Sequence, residues 1–265
     1  MKIQHIISTM NRQDFSFLEK LCFKTDALVV NQNCPQKTEE LTTLNGVNIK
    51  VLSVEEKGLS RSRNMLLDNA DGDILIIGDD DVEYLDGYLD AIKNAYEKHG
   101  DADIIVFRFT HEKGKETRAR YTEDTTVTIQ NVSKFASVEI TFKRESILSS
   151  KVRFNNNIGL GTAFPSGEEN AFLADALRAG LKIYHVPVTI CVAEEALKIN
   201  ESYDALKYLK DKGASFYCIY KKAFSLYALA FIVLKKKSHF KDVSILKAFS
   251  LMQKGKREYK KSVKE

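Results

Sequence analysis

Three short groups of residues have types and spacings that could do chemistry. The first is Asp79-Asp80-Asp81, which follows Gly78 and the apolar, β-branched run at 73–77 (DILII). Adjacent carboxylates at a strand end repel one another. A divalent cation offsets that repulsion, and carboxylate oxygens are the hard ligands that Mg²⁺ or Mn²⁺ prefers. Asp is also common in solvated turns and at helix N-caps, but three in succession after a buried strand favour the cation. The second group is Lys57-Gly58-Leu59-Ser60-Arg61-Ser62-Arg63-Asn64, ahead of Met65-Leu66-Leu67. Ser60 reads as an N-cap, which puts Arg61 and Arg63 in a first helical turn where their charge opposes the macrodipole. An anion would relieve that conflict, since free backbone N–H groups and guanidinium forks make a phosphate site. Solvated arginines, or pairs with Glu55 and Glu56, are the plainer alternative. The third group is Ser166-Gly167-Glu168-Glu169-Asn170. Ser166 and Glu169 fit a capping box, S-x-x-E; the alternative makes Glu168 or Glu169 a general base at the mouth of a site. A cation site, an anion site and a base together suit a nucleotide diphosphate held by a metal, with an attacking hydroxyl beside a carboxylate.

These groups need strands and helices to bring them together. Residues 3–8, 27–31, 47–53, 73–77 and 103–109 read as strands, and 14–22, 61–69 and 86–97 as helices. Such alternation predicts an α/β fold with a mostly parallel central sheet flanked by helices, in which ligands sit at the carboxyl ends of the strands. The middle, 110–165, is less regular: 125–129 and 138–142 alternate like strands, and 155–161 is a polar, glycine-bearing loop. A helix over 166–179 and a strand over 181–186 follow. From about residue 199 the pattern is helical, at 203–212, 216–236 and 240–253. The expected division is a site-bearing domain at 1–199 and a helical, basic C-terminal extension at 200–265. No internal repeat is present.

The 265 residues are 44% hydrophobic and 29% charged, which excludes a disordered or collagen-like chain, and three prolines leave little room for linker. Cys22, Cys34, Cys191 and Cys218 form no C-x-x-C pair, which argues against a zinc ribbon or a thioredoxin-type site. The first residues lack a signal-peptide core, so reduced thiols and a cytoplasmic setting are expected. Residues 205–265 carry 16 Lys or Arg against 4 Asp or Glu, a balance of +12; with a net charge of +4, the rest carries −8. An acidic body handles cations, and a basic tail meets an anionic surface.

Over roughly residues 1–195 the chain resembles the family 2 glycosyltransferases of GT-A fold, a Rossmann-like arrangement. The resemblance rests on the first strand with Ser8-Thr9-Met10-Asn11-Arg12, on Gly58–Asn64, and on Asp79-Asp80-Asp81 in the DxD position. It is completed by Gly167-Glu168-Glu169 with Leu173 and Gly180-Leu181-Lys182-Ile183, which look like the family's "ED" helix and the strand after it. It implies a nucleotide-sugar donor, a UDP-sugar by expectation, with Mn²⁺ or Mg²⁺ flanked by Asp79 and Asp81 and with Asp80 at the donor ribose or sugar. Arg61, Arg63 and Asn64 match the donor-binding segment. Thr9, Asn31 and Gln32 fall where the family reads the nucleobase, and Glu169 matches the base. Members usually invert the anomeric centre by direct displacement. Three positions depart from the pattern. Asn31-Gln32 replaces a common acidic pair, Glu169 stands where Asp is usual, and Cys191-Val192-Ala193-Glu194-Glu195 lacks the usual histidine, so a glutamate or water would complete the metal shell. His185, before Pro187 in an apolar strand, reads as a core or edge histidine.

In the extension, residues 223–234 are apolar apart from Ser225 and are followed by Lys235-Lys236-Lys237. Twelve residues fall short of the roughly 20 that a spanning helix needs. The segment is expected to pack on the body, with an interfacial helix on anionic lipid as the alternative. Phe240, Val243, Leu246 and Phe249 recur at helical spacing, and 254–264 reads as a frayed, solvated end. No nucleic-acid-binding signature is present. The expected activity is sugar transfer to a glycan or lipid-linked acceptor, at the inner face of the cell membrane. Two rivals are a nucleotidyltransferase, disfavoured by the absence of a glycine-rich loop after the first strand, and a degenerate transferase kept as a scaffold.

Overall fold

Apolar side chains on the central strands divide by parity between two cores. A computed structural model of the chain describes residues 1–43, 46–112, 121–193 and 205–264. Its elements are β1 (Ile3–Met10), β2 (Ala27–Gln32), β3 (Lys37–Thr42), β4 (Asn48–Val54), α1 (Leu59–Asn69), β5 (Ile74–Gly78), β6 (Val82–Tyr84) and α2 (Tyr88–Lys98). There follow β7 (Ile104–Thr110), β8 (Thr125–Thr126), β9 (Ile140–Lys143), α3 (Arg144–Ser150), α4 (Glu168–Arg178), β10 (Ile183–Ala193), α5 (Ala205–Tyr220), α6 (Phe224–His239) and α7 (Ile245–Ser262). Ile6, Leu28, Leu75, Ile77, Ile104 and Val106 face one core, shared with α1, α4 and the last three helices. Their neighbours Ile7, Val29, Ile74, Ile76, Ile105 and Phe107 face the other, under α2. Period-two alternation with both faces apolar is what a sheet covered on both sides requires.

The strand order is β3-β4-β2-β1-β5-β9-β7-β10-β6, with β8 against β10. β4, β2, β1 and β5 pair in parallel, as do β7 and β10. The remaining strands run against these six; β9 lies between β5 and β7 and pairs antiparallel with both. The antiparallel β3 and β6 and the short α3 are additions to the expected pattern, whereas β9 is the strand expected at 138–142. Residues 125–129 shrink to a two-residue strand, and 14–22 forms only a 3₁₀ turn at Ser16–Leu21. β10 runs on past Val186, the expected end of the strand, and its register against β7 shifts between His185 and Thr189, where Pro187 has no ladder donor to offer. His185 is buried beside Phe135 and Tyr121, as expected of a core histidine.

The C-terminal end is not frayed. α7 continues to Ser262, Tyr259 is buried, and its hydroxyl accepts from Asn155 Nδ2 at 2.6 Å. α7 crosses α5 backbone to backbone: a Cβ at Gly213 would strike the Met252 carbonyl, and one at Gly255 the Lys210 carbonyl. Phe240 is buried while Leu246 is 84% exposed, so the expected stripe is not one face. The expected boundary at residue 199 falls within 194–204, outside the described residues, and Glu194 and Glu195 lie there too.

His5 sits at the centre of β1 among Phe23, Tyr84 and Tyr88. Its Nε2 meets the Tyr88 hydroxyl at 2.8 Å, and burial pushes its pKa down to about 3. Below the ordinary histidine value of about 6.5 the unfolded chain binds a proton that the folded chain refuses, so stability falls with pH at up to about 1.4 kcal/mol per unit. His5→Phe keeps an aromatic ring there, and Tyr88 still accepts the Lys24 N–H at 3.0 Å. Denaturant titrations between pH 5 and 7 should show a flatter acid limb in His5→Phe; an unchanged limb would assign the sensitivity to other groups.

Candidate active site

The carboxyl ends of β1 and β5 form one edge of a concavity. A 460 Å³ cavity there is lined by Ser8, Arg63, Asp79, Asp80, Asp81, Ser137, Glu168 and Glu169, with Leu59, Leu160 and residues 165–167 around them. The three sequence groups therefore meet in one place, although α4 begins about 90 residues after β5 ends.

Arg63 joins them. Its side chain is 2% exposed; Nη1 donates to Glu168 Oε1 at 3.0 Å and Nη2 to Asp79 Oδ1 at 3.1 Å. The ring of Phe154 lies 5.5 Å from the guanidinium carbon. A buried guanidinium needs counter-charges in fixed directions, so the start of α4 and the end of β5 are held by one residue of α1. Asp79 Oδ2 also accepts from Ser137 Oγ at 2.9 Å. Asp80 Oδ2 accepts from Thr9 Oγ1 at 2.5 Å and from Arg12 Nη2 at 2.9 Å, while Asp81 is exposed at the cavity wall.

Glu168 and Glu169 have different surroundings. Glu168 is tied to Arg63, whereas Glu169 makes no such pair; burial, and then the neighbouring Glu168, hold its carboxyl well above the ordinary carboxylate range. Arg63 and Lys212 of α5 act the other way, favouring the ionised form. The capping box does not form. Gly167 is the N-cap, at φ +88, and α4 starts at Glu168. A Cβ at Gly167 would sit 2.9 Å from Ser215 Cβ, and Ser215 Oγ donates to the Ser166 carbonyl, so α5 sets this turn. Ser60 is likewise not the cap of α1. Gly58 is, and Ser60 Oγ donates to the Ile158 carbonyl at 2.7 Å.

Other expected site residues stand behind or beside the cavity. Asn31 brackets the main chain of Arg12, accepting its N–H at 3.1 Å and donating to its carbonyl at 3.0 Å. Gln32 donates to the Thr9 carbonyl at 3.3 Å and accepts the Gly58 N–H at 2.8 Å. Asn64 donates to the Phe154 carbonyl and accepts the Phe154 N–H, both at 2.8 Å. Arg61 is exposed and lines a separate 230 Å³ concavity with Lys57, Asn156 and Asn157. Ser137 and Lys212 were not legible in the sequence, since Ser137 lies in an irregular segment and Lys212 among many tail lysines. Arg12 was named in the sequence only as the end of the Ser8–Arg12 run, and its place beside Asp80 comes from the fold.

The carboxylates fit a hard divalent cation, with Asp79 and Asp81 on the cavity wall. No group of three or more metal-ligating side chains gathers among the described residues.

A model of glycosyl transferase family 2 matches residues 27–181, more than half of the chain. A search of curated proteins finds no match. Among solved structures, S. aureus TarS 1-349 in complex with UDP-GlcNAc is similar with a TM-score of 0.61 at 14% identity, over 99% of this chain and 92% of that one. The mannosyltransferase PcManGT from Pyrobaculum calidifontis, in complex with GDP-Man and Mn²⁺, gives 0.54 at 12% identity, over 96% and 73%. At these identities the likeness shows a shared GT-A fold.

Removing the guanidinium should be costly. Arg63→Met leaves Glu168, 8% exposed, without its counter-ion, while Asp79, 35% exposed, is screened by solvent. A loss of about 3 kcal/mol is expected in chemical denaturation. Arg63→Lys should recover only part of it, because one ammonium cannot reproduce the two-pronged fork. A wild-type midpoint for Arg63→Met would show that the bridge contributes nothing to stability.

Proposed function

Because the chain belongs to glycosyl transferase family 2, we propose that its cavity binds a nucleotide-sugar donor and that Glu169 deprotonates the acceptor hydroxyl. The observation that carries this reading is a carboxyl of raised proton affinity in the same 460 Å³ cavity as three aspartates at the strand ends. The chain is a glycosyltransferase, so the nucleotidyltransferase and scaffold readings are set aside. A UDP-sugar is the proposed donor, in keeping with the UDP-GlcNAc held by TarS; GDP-Man in PcManGT makes other nucleotides worth testing. The acceptor is a glycan or lipid-linked sugar, met at the inner face of the membrane with the C-terminal extension in contact with it.

In this scheme Arg63 fixes the start of α4 relative to Asp79, which sets the distance between base and donor. Thr9 and Arg12 orient Asp80 toward the donor ribose or sugar. Asn31, Gln32 and Asn64 act at one remove, by bracing the loops at 9–12, 58 and 154–156. Asp79 and Asp81 would hold Mg²⁺ or Mn²⁺, which when bound supplies positive charge beside the departing diphosphate. Glu169 accepts the hydroxyl proton, and a carboxylate of raised pKa accepts it more readily than an ordinary one. The hydroxyl oxygen attacks the anomeric carbon from the face opposite the leaving diphosphate, and the configuration inverts.

Glu169 must be ionised to act as base. The acid limb of kcat/KM should therefore lie above the ordinary glutamate value of about 4.3, and activity should rise with pH through it. Lys212→Met removes a charge that favours ionisation and should move the limb to still higher pH. Glu169→Gln should lower kcat about 10²–10⁴-fold. A limb at the ordinary position in both the wild type and Lys212→Met would remove Glu169 from the role.

The donor is tested by thermal shift with UDP-, GDP-, CMP- and dTDP-sugars, each with and without Mn²⁺. A ligand of the folded state at 100 times its Kd adds about 2.7 kcal/mol. The expected result is a metal-dependent shift with UDP-sugars that Asp81→Ala abolishes without lowering the Tm of the free protein. No shift with any nucleotide sugar would overturn the donor reading.

A further inference from the structure

The outer face of α6 is apolar, although its inner face already packs on the protein. Phe224, Ala228 and Ile232, spaced by four, are fully buried in the core. Leu226, Leu229, Val233 and Leu234 occupy the other side of the helix and are 45–78% exposed. With Ile245 and the 84%-exposed Leu246 at the start of α7, they account for six of the twelve large exposed hydrophobics among the described residues, all within 226–246. Exposed apolar residues gathered this way mark an interaction surface. Lys222, Lys237, Lys241 and Lys247 are exposed around them, and the Lys236 ammonium ties the two helices by donating to the carbonyls of Lys241 and Val243 at 2.8 and 3.2 Å.

We infer that this face docks the protein on an anionic lipid bilayer. The inference deepens the membrane-face setting proposed above and rests on it. An apolar strip bordered by lysines complements acyl chains beneath acidic headgroups. A second copy of the chain is a poorer partner, since an isologous contact would bring the lysine rims face to face. Nucleic acid would leave the leucines without a role. Residues 205–237 are long and apolar enough to cross a membrane by length and composition. The geometry argues for lying on the surface instead: Leu209, Ala214 and Ile219 of α5 are in the protein core, and the apolar stretch 223–234 is only about 18 Å long against about 30 Å of hydrocarbon.

The test is co-sedimentation of the full chain with vesicles of phosphatidylcholine alone and of phosphatidylcholine mixed with phosphatidylglycerol. Binding should require the anionic lipid and weaken with salt. Lys237→Gln should weaken it about fivefold and Leu234→Ser about tenfold. Both side chains are exposed, so Tm and the donor-induced thermal shift should stay as in the wild type. Equal binding to neutral vesicles, no binding by folded protein, or a dimer that Leu234→Ser dissolves would each overturn the assignment. Vesicle binding needs no donor, so its failure is distinguishable from failure of the donor reading.

Discussion

Arg63 is charged at every accessible pH and nearly sealed from water, so the structure around it must deliver anions at fixed points. It receives them from Asp79 at the end of β5 and from Glu168 at the start of α4. A shift of either element by an ångström or two would strand a buried charge. The same guanidinium therefore sets the width of the cavity and the position of the next residue, Glu169.

Glu168 and Glu169 are adjacent and chemically identical, yet the fold divides their roles. One gains a guanidinium. The other lies half-buried beside that paired carboxylate, and its own proton affinity rises in consequence. Desolvation and a like charge act in the same direction here. Lys212 limits the rise, and it arrives from the C-terminal extension, on a helix that also contacts Ser166 and Gly167. The extension is thus part of the support of the site. α7 backs α5 through the close crossing at Gly213 and Gly255, and Tyr259 reaches the loop at Asn155.

On the far side of the same extension, α6 keeps an apolar outer face that no described residue covers to the extent that its inner face is covered. A helix hydrophobic all round belongs in an interior or against lipid. Here one face has the interior, and the lysines around the other face match acidic headgroups.

Much of this was legible in the residues themselves. Alternating apolar runs located β1, β2, β4, β5 and β7, and with them the edge at which the candidate site lies. The carboxylate triplet, the arginine-bearing helix start and the paired glutamates marked groups that line one cavity, because residue type and local spacing suffice to pick them out. Roles that depend on long-range neighbours were not legible. Nothing near Arg63 in sequence announces Glu168, 105 positions away, and Arg61, two residues earlier, faces a different concavity because a helix turns about 200° over two positions. Asn31 and Gln32 stand at the strand end as expected, but their amides are engaged by loop backbone that only the packed chain brings within reach. Ser60 and Ser166 matched local capping rules and lost those positions to Gly58 and Gly167, where a positive φ, and at Gly167 also the close approach of Ser215, favours glycine. The sequence by itself determined which groups are present and which strand ends carry them. Their pairing, their proton affinities and the apolar face left uncovered on α6 were decided by tertiary packing, since each depends on water excluded and charges supplied by distant parts of the chain.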